Sequence, residues 1–253
     1  MVIRVMAALQ FFTRLPLWRF VNIPADHFRH VVPYWALTGW LTAAVSTITL
    51  LVAVFFLPLN IAIILAMISR LLLTGCLHED GLADFLDGFG GGHDRAQILS
   101  IMKDSHIGSY GVIGLISYFI LYYLLLNTLP AELIASTLLM GDPFSKGVAS
   151  MIINKLPYAR KEEESKSKMI YTSMTRTEWI IAAVSALLPL IWVPSPLYLI
   201  AVVFPIAIWF GFTNYIKKRI NGYTGDCCGA LFLLCEIGFY LGVVIIYNCS
   251  NSL

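Results

Sequence analysis

From Val31 to Leu57 the chain runs for about 27 residues without an Asp, Glu, Lys or Arg. A helix needs roughly 20 apolar residues to cross the hydrocarbon of a bilayer. Inside lipid every backbone N–H and C=O must be satisfied within the protein, which leaves a helix as the natural state of such a run. Further apolar runs cover about 60–77, 112–129, 133–153, 179–193, 197–215 and 231–247. Pro58, Pro130 and Pro194-Ser195-Pro196 punctuate them as turns. The composition agrees, with 58% hydrophobic residues, 13% charged and a mean hydropathy of +0.78. A soluble domain carries about 25% charged residues. The expectation is an all-α integral membrane protein, one polytopic domain over 1–253, with about seven transmembrane helices and cytoplasmic motif loops. Residues 2–20 are broken by Arg4, Arg14 and Arg19. They read as an interfacial helix, and no cleavable signal pattern is expected there.

The placement of charge gives the expected orientation. With seven crossings, the N-terminus and the segments 78–111, 154–178 and 216–230 share one side. Every Lys and Arg outside a run falls on that side; Arg70 and Lys146 lie within runs. The positive-inside rule puts that side in the cytoplasm. The fourth run is the least clean, because Asp142, Ser145 and Lys146 interrupt it. The net charge of +2 decides little, and nucleic acid is not an expected partner. A homo-oligomer is compatible with the sequence. The five cysteines (Cys76, Cys227, Cys228, Cys235 and Cys249) form no CxxC pair and read as reduced thiols.

Chemistry concentrates in His78–Gly111, which holds Glu79, Asp80, Asp84, Asp87, Asp94 and Asp104 among many glycines. Asp80, Asp84 and Asp87 are spaced i, i+4, i+7, so on a helix they share one face. Three neighbouring carboxylates repel one another unless a cation joins them, and Mg²⁺ takes oxygen ligands of this kind. The chemistry this favours is metal-assisted phosphoryl transfer. A solvated acidic face is the plainer alternative. HEDG is not a zinc-protease helix, because Leu82 stands where HExxH requires a second His. His78 reads either as a general base or as a structural hydrogen-bonding residue. Gly81 and Gly88 permit close approach of a backbone or ligand. Gly90-Gly91-Gly92 reads either as a phosphate-facing nest or as a turn. Arg95 reads as a phosphate contact or a surface residue. Lys103 and Asp104 in KDSHIGSYG are weaker candidates for a phosphate contact and a metal ligand. In TGDCCGA, Asp226 sits at an expected helix start, where a carboxylate also stabilises exposed N–H groups. Within the apolar runs, Arg70, Asp142, Lys146 and Glu236 must face a polar interior or a partner, and Asp142 and Lys146 can pair as i, i+4.

Four ordered blocks then carry a resemblance: FFTRLP at 11–16, HEDGLADFLDG at 78–88, IMKDSHIGSYG at 101–111 and TGDCCGA at 224–230. Together they are similar to the cobalamin synthases, the adenosylcobinamide-GDP ribazoletransferases of late vitamin B12 biosynthesis. The family pattern HxDGLxDxxDG is matched by His78, Asp80, Gly81, Leu82, Asp84, Asp87 and Gly88, and PYAR at 157–160 also fits. The resemblance implies adenosylcobinamide-GDP and α-ribazole or its 5′-phosphate as substrates, Mg²⁺ as cofactor, and GMP as leaving group. It implies Asp80, Asp84 and Asp87 as metal ligands, with His78, Lys103 and Asp104 in catalysis. Arg14, Gly81, Arg95, Thr224 and Asp226 are the implied substrate contacts. A CDP-alcohol phosphotransferase of lipid synthesis is the alternative, but its Ala-Arg pair after DG is replaced here by Ala83-Asp84. A transporter reading finds no repeated halves to support it.

Overall fold

The computed structural model describes residues 1–160 and 170–251. The charged run at 161–168 lies outside the described residues. Eleven α-helices occur among those described: α1 (Val2–Phe12), α2 (Trp35–Val54), α3 (Leu59–Thr74), α4 (Leu77–Gly91), α5 (Arg95–Ile101), α6 (Ser109–Asn127), α7 (Ala131–Ser150), α8 (Ile152–Lys155), α9 (Arg176–Leu187), α10 (Val203–Ile220) and α11 (Gly225–Asn251). Short 3₁₀ segments join several of them, at Leu17–Arg19, Ala25–His30, Val32–Tyr34, Leu188–Trp192 and Pro196–Val202. No strand is formed among the described residues.

Four of these segments are long and apolar enough to cross a membrane: Val32–Val54, Ser109–Asn127, Pro196–Ile220 and Gly225–Asn251. The count reaches five if the bent pair α3–α4 is one span. Helical segments also stand where the other crossings were expected, but with different character. α7 carries Glu132, Asp142 and Lys146, is largely buried, and holds Pro143 inside it. α9 has only 12 residues before its continuation tightens to 3₁₀ at Leu188. Pro58 and Pro130 precede α3 and α7, as their restricted geometry favours.

α11 forms the axis of the bundle. It packs against α4, α6, α7 and α10, and residues 227–233 are all buried. Without a hydrophobic drive between helices in lipid, close packing depends on small residues that let backbones approach. Gly242 serves this purpose: a Cβ there would sit 2.9 Å from Ala201 Cα. The opposite kind of surface appears on α6, where Ile113, Ile116, Ile120 and Leu124 are exposed, as lipid-facing residues are.

The expected cytoplasmic motif loops need correction. HEDGLADFLDG is not a loop but nearly the whole of α4, and TGDCCGA forms the cap and first turn of α11. Gly81 and Gly88, expected to permit close approach, sit within α4 and pack against Asp226 and Met102.

Candidate active site

The site begins with a bend. Gly75 (φ 65°) and Cys76 (φ 57°) are both left-handed, and α4 leaves α3 at 89°. A side chain on Gly75 would run into that of Arg14. The Arg14 amide donates to the Leu73 carbonyl at 2.7 Å, tying the segment after α1 to the bend. α4 is thereby aimed across the start of α11. Two glycines make this crossing tight: a Cβ on Gly81 would lie 3.2 Å from Asp226 Cα, and one on Gly229 would lie 3.2 Å from the His78 carbonyl. The two motif blocks thus meet backbone to backbone.

Beside the crossing is a cavity of about 160 Å³. α4 contributes Leu77, His78, Asp80 and Gly81, and α11 contributes Gly225, Asp226, Cys228 and Gly229. Phe11, Phe12, Val32 and Trp35 form an apolar wall, and Tyr158, Arg160 and Tyr171 complete the rim. Phe12 stacks on Trp35 at 5.2 Å and Trp35 on His78 at 5.4 Å. The Trp35 indole N–H donates to His78 Nε2 at 3.2 Å. In the neutral ring that bond occupies the Nε2 lone pair and places the proton on Nδ1. In this geometry His78 is a positioned residue with Nδ1 as its donor.

Arg160 is 7% exposed, and its Nη2 donates to the Leu99 carbonyl at 2.8 Å. Its segment is clamped by backbone pairing: the Ala159 amide donates to the Tyr223 carbonyl, and the Tyr223 amide to the Pro157 carbonyl. Arg95 reinforces the clamp, donating from Nη2 to Ala159 O (2.6 Å) and from Nε to Ile220 O (2.9 Å). Thr224 caps α11 by accepting the Cys227 amide at 3.3 Å. Tyr171 is held by its neighbour, since the Thr172 amide donates to Arg29 O at 3.0 Å. Desolvation, with smaller contributions from Cys228, neighbouring tyrosines and Asp226, pushes the Tyr171 phenol well above its ordinary pKa and keeps it a donor.

Behind the cavity lies a buried charged core. Arg70 on α3 binds Glu236 on α11 through Nη1 at 2.5 and 2.6 Å. Its Nη2 reaches Tyr118 at 2.8 Å and Glu79 at 3.3 Å. Tyr240 donates to Glu236 at 2.9 Å. Lys146 pairs with Asp142 at 2.6 Å and with Thr42, whose hydroxyl donates on to Asp142. Every charge expected inside an apolar run thus finds a partner. Arg70 stays buried beneath the site.

The family model described as Cobalamin-5-phosphate synthase matches residues 4–244. The chain belongs to the cobalamin-5-phosphate synthase family. Its relatives include proteins named adenosylcobinamide-GDP ribazoletransferase. That of Shewanella woodyi is 36% identical over 240 residues, covering 92% of each chain. That of Leptospira interrogans is 35% identical over 254 residues, 97% of this chain and 96% of its own. That of Pseudoalteromonas atlantica is 34% identical over 243 residues, with 95% and 90% covered. No solved structure matches the chain.

Against this family frame, the sequence-expected residues divide. His78, Asp80, Gly81 and Asp226 line the cavity. Thr224 stands directly behind it as the helix cap. Asp87, expected to hold metal, has both oxygens engaged elsewhere: Oδ2 accepts the Gly108 amide at 2.7 Å and Oδ1 the Gly111 amide at 2.8 Å. It anchors the start of α6. Asp84 is half-buried between the two ends of this acidic row. Lys103 and Asp104 are exposed on the connection to α6 and do not line the cavity. The His106 backbone amide, then its ring, hold the Asp104 carboxyl below its ordinary pKa. Arg14 braces the bend, and Arg95 braces the PYAR segment. Gly91 ends α4 and Gly92 caps it, with the Gly92 carbonyl accepting from Arg219 at 2.7 Å. Among the described residues no three His, Cys, Asp or Glu groups converge closely enough to hold a metal ion by themselves. The residues not singled out from sequence are Arg160, Tyr171, Tyr158, Trp35 and Phe11. PYAR, for Tyr158 and Arg160, and FFTRLP, for Phe11, gave the only signal, through the family pattern.

Proposed function

We propose that the chain transfers the adenosylcobinamide phosphate group from adenosylcobinamide-GDP to α-ribazole or its 5′-phosphate, releasing GMP. The observation that carries this is the single cavity in which His78 and Asp80 of α4 meet Asp226 of α11 and Arg160 of the PYAR segment. Relatives named for that reaction match over nearly the whole chain.

A ribose hydroxyl oxygen of the ribazole forms a bond to the cobinamide-bearing phosphorus. The bond from that phosphorus to the bridging oxygen of the diphosphate breaks, and GMP leaves with that oxygen. The hydroxyl proton passes to a cavity carboxylate, Asp80 or Asp226, since His78 Nε2 already accepts from Trp35. The His78 Nδ1 proton and the Arg160 guanidinium supply donors toward the substrate oxygens.

Mg²⁺ fits this donor set as a substrate-completed site. Mg²⁺ is commonly held by one or two carboxylates plus substrate phosphates and water, and Asp80 and Asp226 line one wall of one cavity. When bound, it would neutralise charge building on the diphosphate. Asp84 extends the negative field behind Asp80, while Asp87 serves α6.

The finer arrangement we propose is seven crossings, with the cavity mouth on the cytoplasmic side of the bacterial inner membrane. The basic end of α10, Lys217, Lys218 and Arg219, favours that orientation.

The test is GMP release from adenosylcobinamide-GDP by the full chain in lipid nanodiscs. Release that requires both the ribazole acceptor and Mg²⁺ is expected. Release without acceptor, or none from folded protein, overturns the reading.

A further inference from the structure

The cavity takes one of two substrates, and its dimensions decide which. An engineered cavity of about 150 Å³ holds a benzene-sized molecule, and pockets for drug-sized ligands run to about 300–1,000 Å³. At about 160 Å³, open on one side, this cavity admits a single flat ring system. A corrin macrocycle does not fit within it. One side of the cavity lining is carbon, from Phe11, Phe12, Val32, Trp35 and Leu77, and the charged groups Asp80, Asp226 and Arg160 stand elsewhere on it. Phe11 meets Tyr171 edge-on at 6.2 Å, so the two rings form a corner that a third ring can enter. Guanine carries a carbonyl, a ring N–H and an amino group on its edge, each costly to bury without a partner. The benzimidazole ring of ribazole carries no exocyclic polar group.

The second feature is Arg160. It is 7% exposed and lines the cavity. A guanidinium has five N–H donors, and among the described residues its one hydrogen bond goes to Leu99 O. A buried guanidinium with donors in reserve, facing an open cavity, suits a phosphate, which its planar fork grips bidentately.

From these two features we infer that the cavity is the acceptor subsite: the aromatic corner of Phe11 and Tyr171 receives the ribazole base, and Arg160 binds its 5′-phosphate. The chemistry recognised is an apolar-ringed nucleoside monophosphate. The corrin of the donor stays outside, and only its diphosphate arm reaches Asp80 and Asp226. This rests on the reaction proposed above and adds the acceptor's place in it.

Equilibrium dialysis of the full chain in nanodiscs tests this, with no cobinamide substrate present. The probes are α-ribazole, α-ribazole 5′-phosphate and GMP. The phosphorylated acceptor is expected to bind roughly 10- to 100-fold more tightly than the nucleoside, as a charged hydrogen-bonded contact implies. Arg160→Gln is expected to erase that preference while nucleoside binding persists. Phe11→Ala is expected to weaken both ribazole forms together. Should Arg160→Gln fail to fold, Arg160→Lys, which keeps the charge but loses the fork, is expected to reduce the preference several-fold. GMP displacing ribazole at equal concentration, or a preference untouched by either Arg160 variant, overturns the assignment. GMP release by the wild-type chain in the same nanodiscs separates the two proposals. Turnover with an Arg160-independent preference removes the subsite alone, whereas absent turnover with absent ribazole binding removes both.

Discussion

Two clusters of charge lie on neighbouring stretches of the same helices, and they are built in opposite ways. In the buried core, Arg70, Glu236, Tyr118 and Tyr240 pair with one another, Glu79 joins them through one oxygen, and Lys146, Asp142 and Thr42 form a second linked set. In the cavity, Asp80, Asp226 and Arg160 stand around open space. Adjacent residues of α4 show the change: Glu79 turns inward to Arg70, while Asp80 is exposed to the cavity. A closed network in a low-dielectric interior fixes geometry, because any half-satisfied member is costly. A set of charges beside an aromatic wall and an open cavity can take up a ligand in addition to the contacts it already makes. Both share α4 and α11, so the core holds the two helices at the spacing the cavity needs.

The largest expected effect comes from breaking the core. Arg70→Met leaves Glu236 buried without its cation, and losing one partner of a buried pair costs about 3–5 kcal/mol. Unfolding in detergent should show that loss, with activity falling in step. Adding Glu236→Leu is the sharper test, since replacing both partners by apolar groups is often nearly neutral. Recovery of stability without recovery of turnover would mean that the ion pair sets the α4–α11 geometry beyond holding the helices together.

The cavity should respond in the reverse sense. Asp80→Asn and Asp226→Asn are expected to lower kcat/KM at least about 100-fold, near 2.7 kcal/mol of transition-state stabilisation, with the unfolding midpoint shifted far less than in Arg70→Met. A matching loss of stability would make these residues part of the core and dissolve the contrast.

Asp87 tests the boundary between the two. Its spacing from Asp80 and Asp84 marks it as a metal ligand, yet its oxygens accept the Gly108 and Gly111 amides. Asp87→Asn should cost about 1–3 kcal/mol of stability through a mismatched buried donor. The Mg²⁺ concentration for half-maximal activity should stay unchanged. A shift in that concentration would return Asp87 to the metal site.

Asp87 also shows where sequence reading stops. Periodicity reveals that three carboxylates share a helical face, but not what packs on each turn of it. The apolar runs were legible because lipid imposes a simple length rule. The pairing of Asp142 with Lys146 was legible because it is local. Arg70 with Glu236 was not, being separated by 166 residues. Glycine was legible in part: Gly81 read as permitting close approach and does join α4 to α11, but nothing in the sequence named Gly229 as its counterpart. Trp35 and Tyr171 were hidden because an aromatic in an apolar chain has the same sequence appearance whether it faces lipid, core or ligand, and Phe11 was marked only by the FFTRLP block.

The smallest expected effect lies outside both clusters, where α1 docks on α9. Glu178 accepts from Arg4 at 2.6 Å, meets His30 at 3.1 Å, and closes a capping box with Thr175. Burial works against its charge, but the Thr175 backbone and hydroxyl donors, followed by His30 and Arg4, outweigh it and hold the carboxyl below its ordinary value of 4.5. A depressed carboxylate contributes stability that is fully present above its unfolded pKa and is lost as pH falls through its folded one. Glu178→Gln should therefore cost about 1–2 kcal/mol above pH 5, and the gap to the wild-type chain should close below about pH 4.5. Because α1 supplies Phe11 and Phe12 to the cavity wall, the same variant should weaken ribazole binding modestly while leaving turnover at saturating ribazole intact. A fall in that saturated turnover would show that α1 aligns the reacting groups, and the cavity and its outer wall would then have to be treated as one rigid unit.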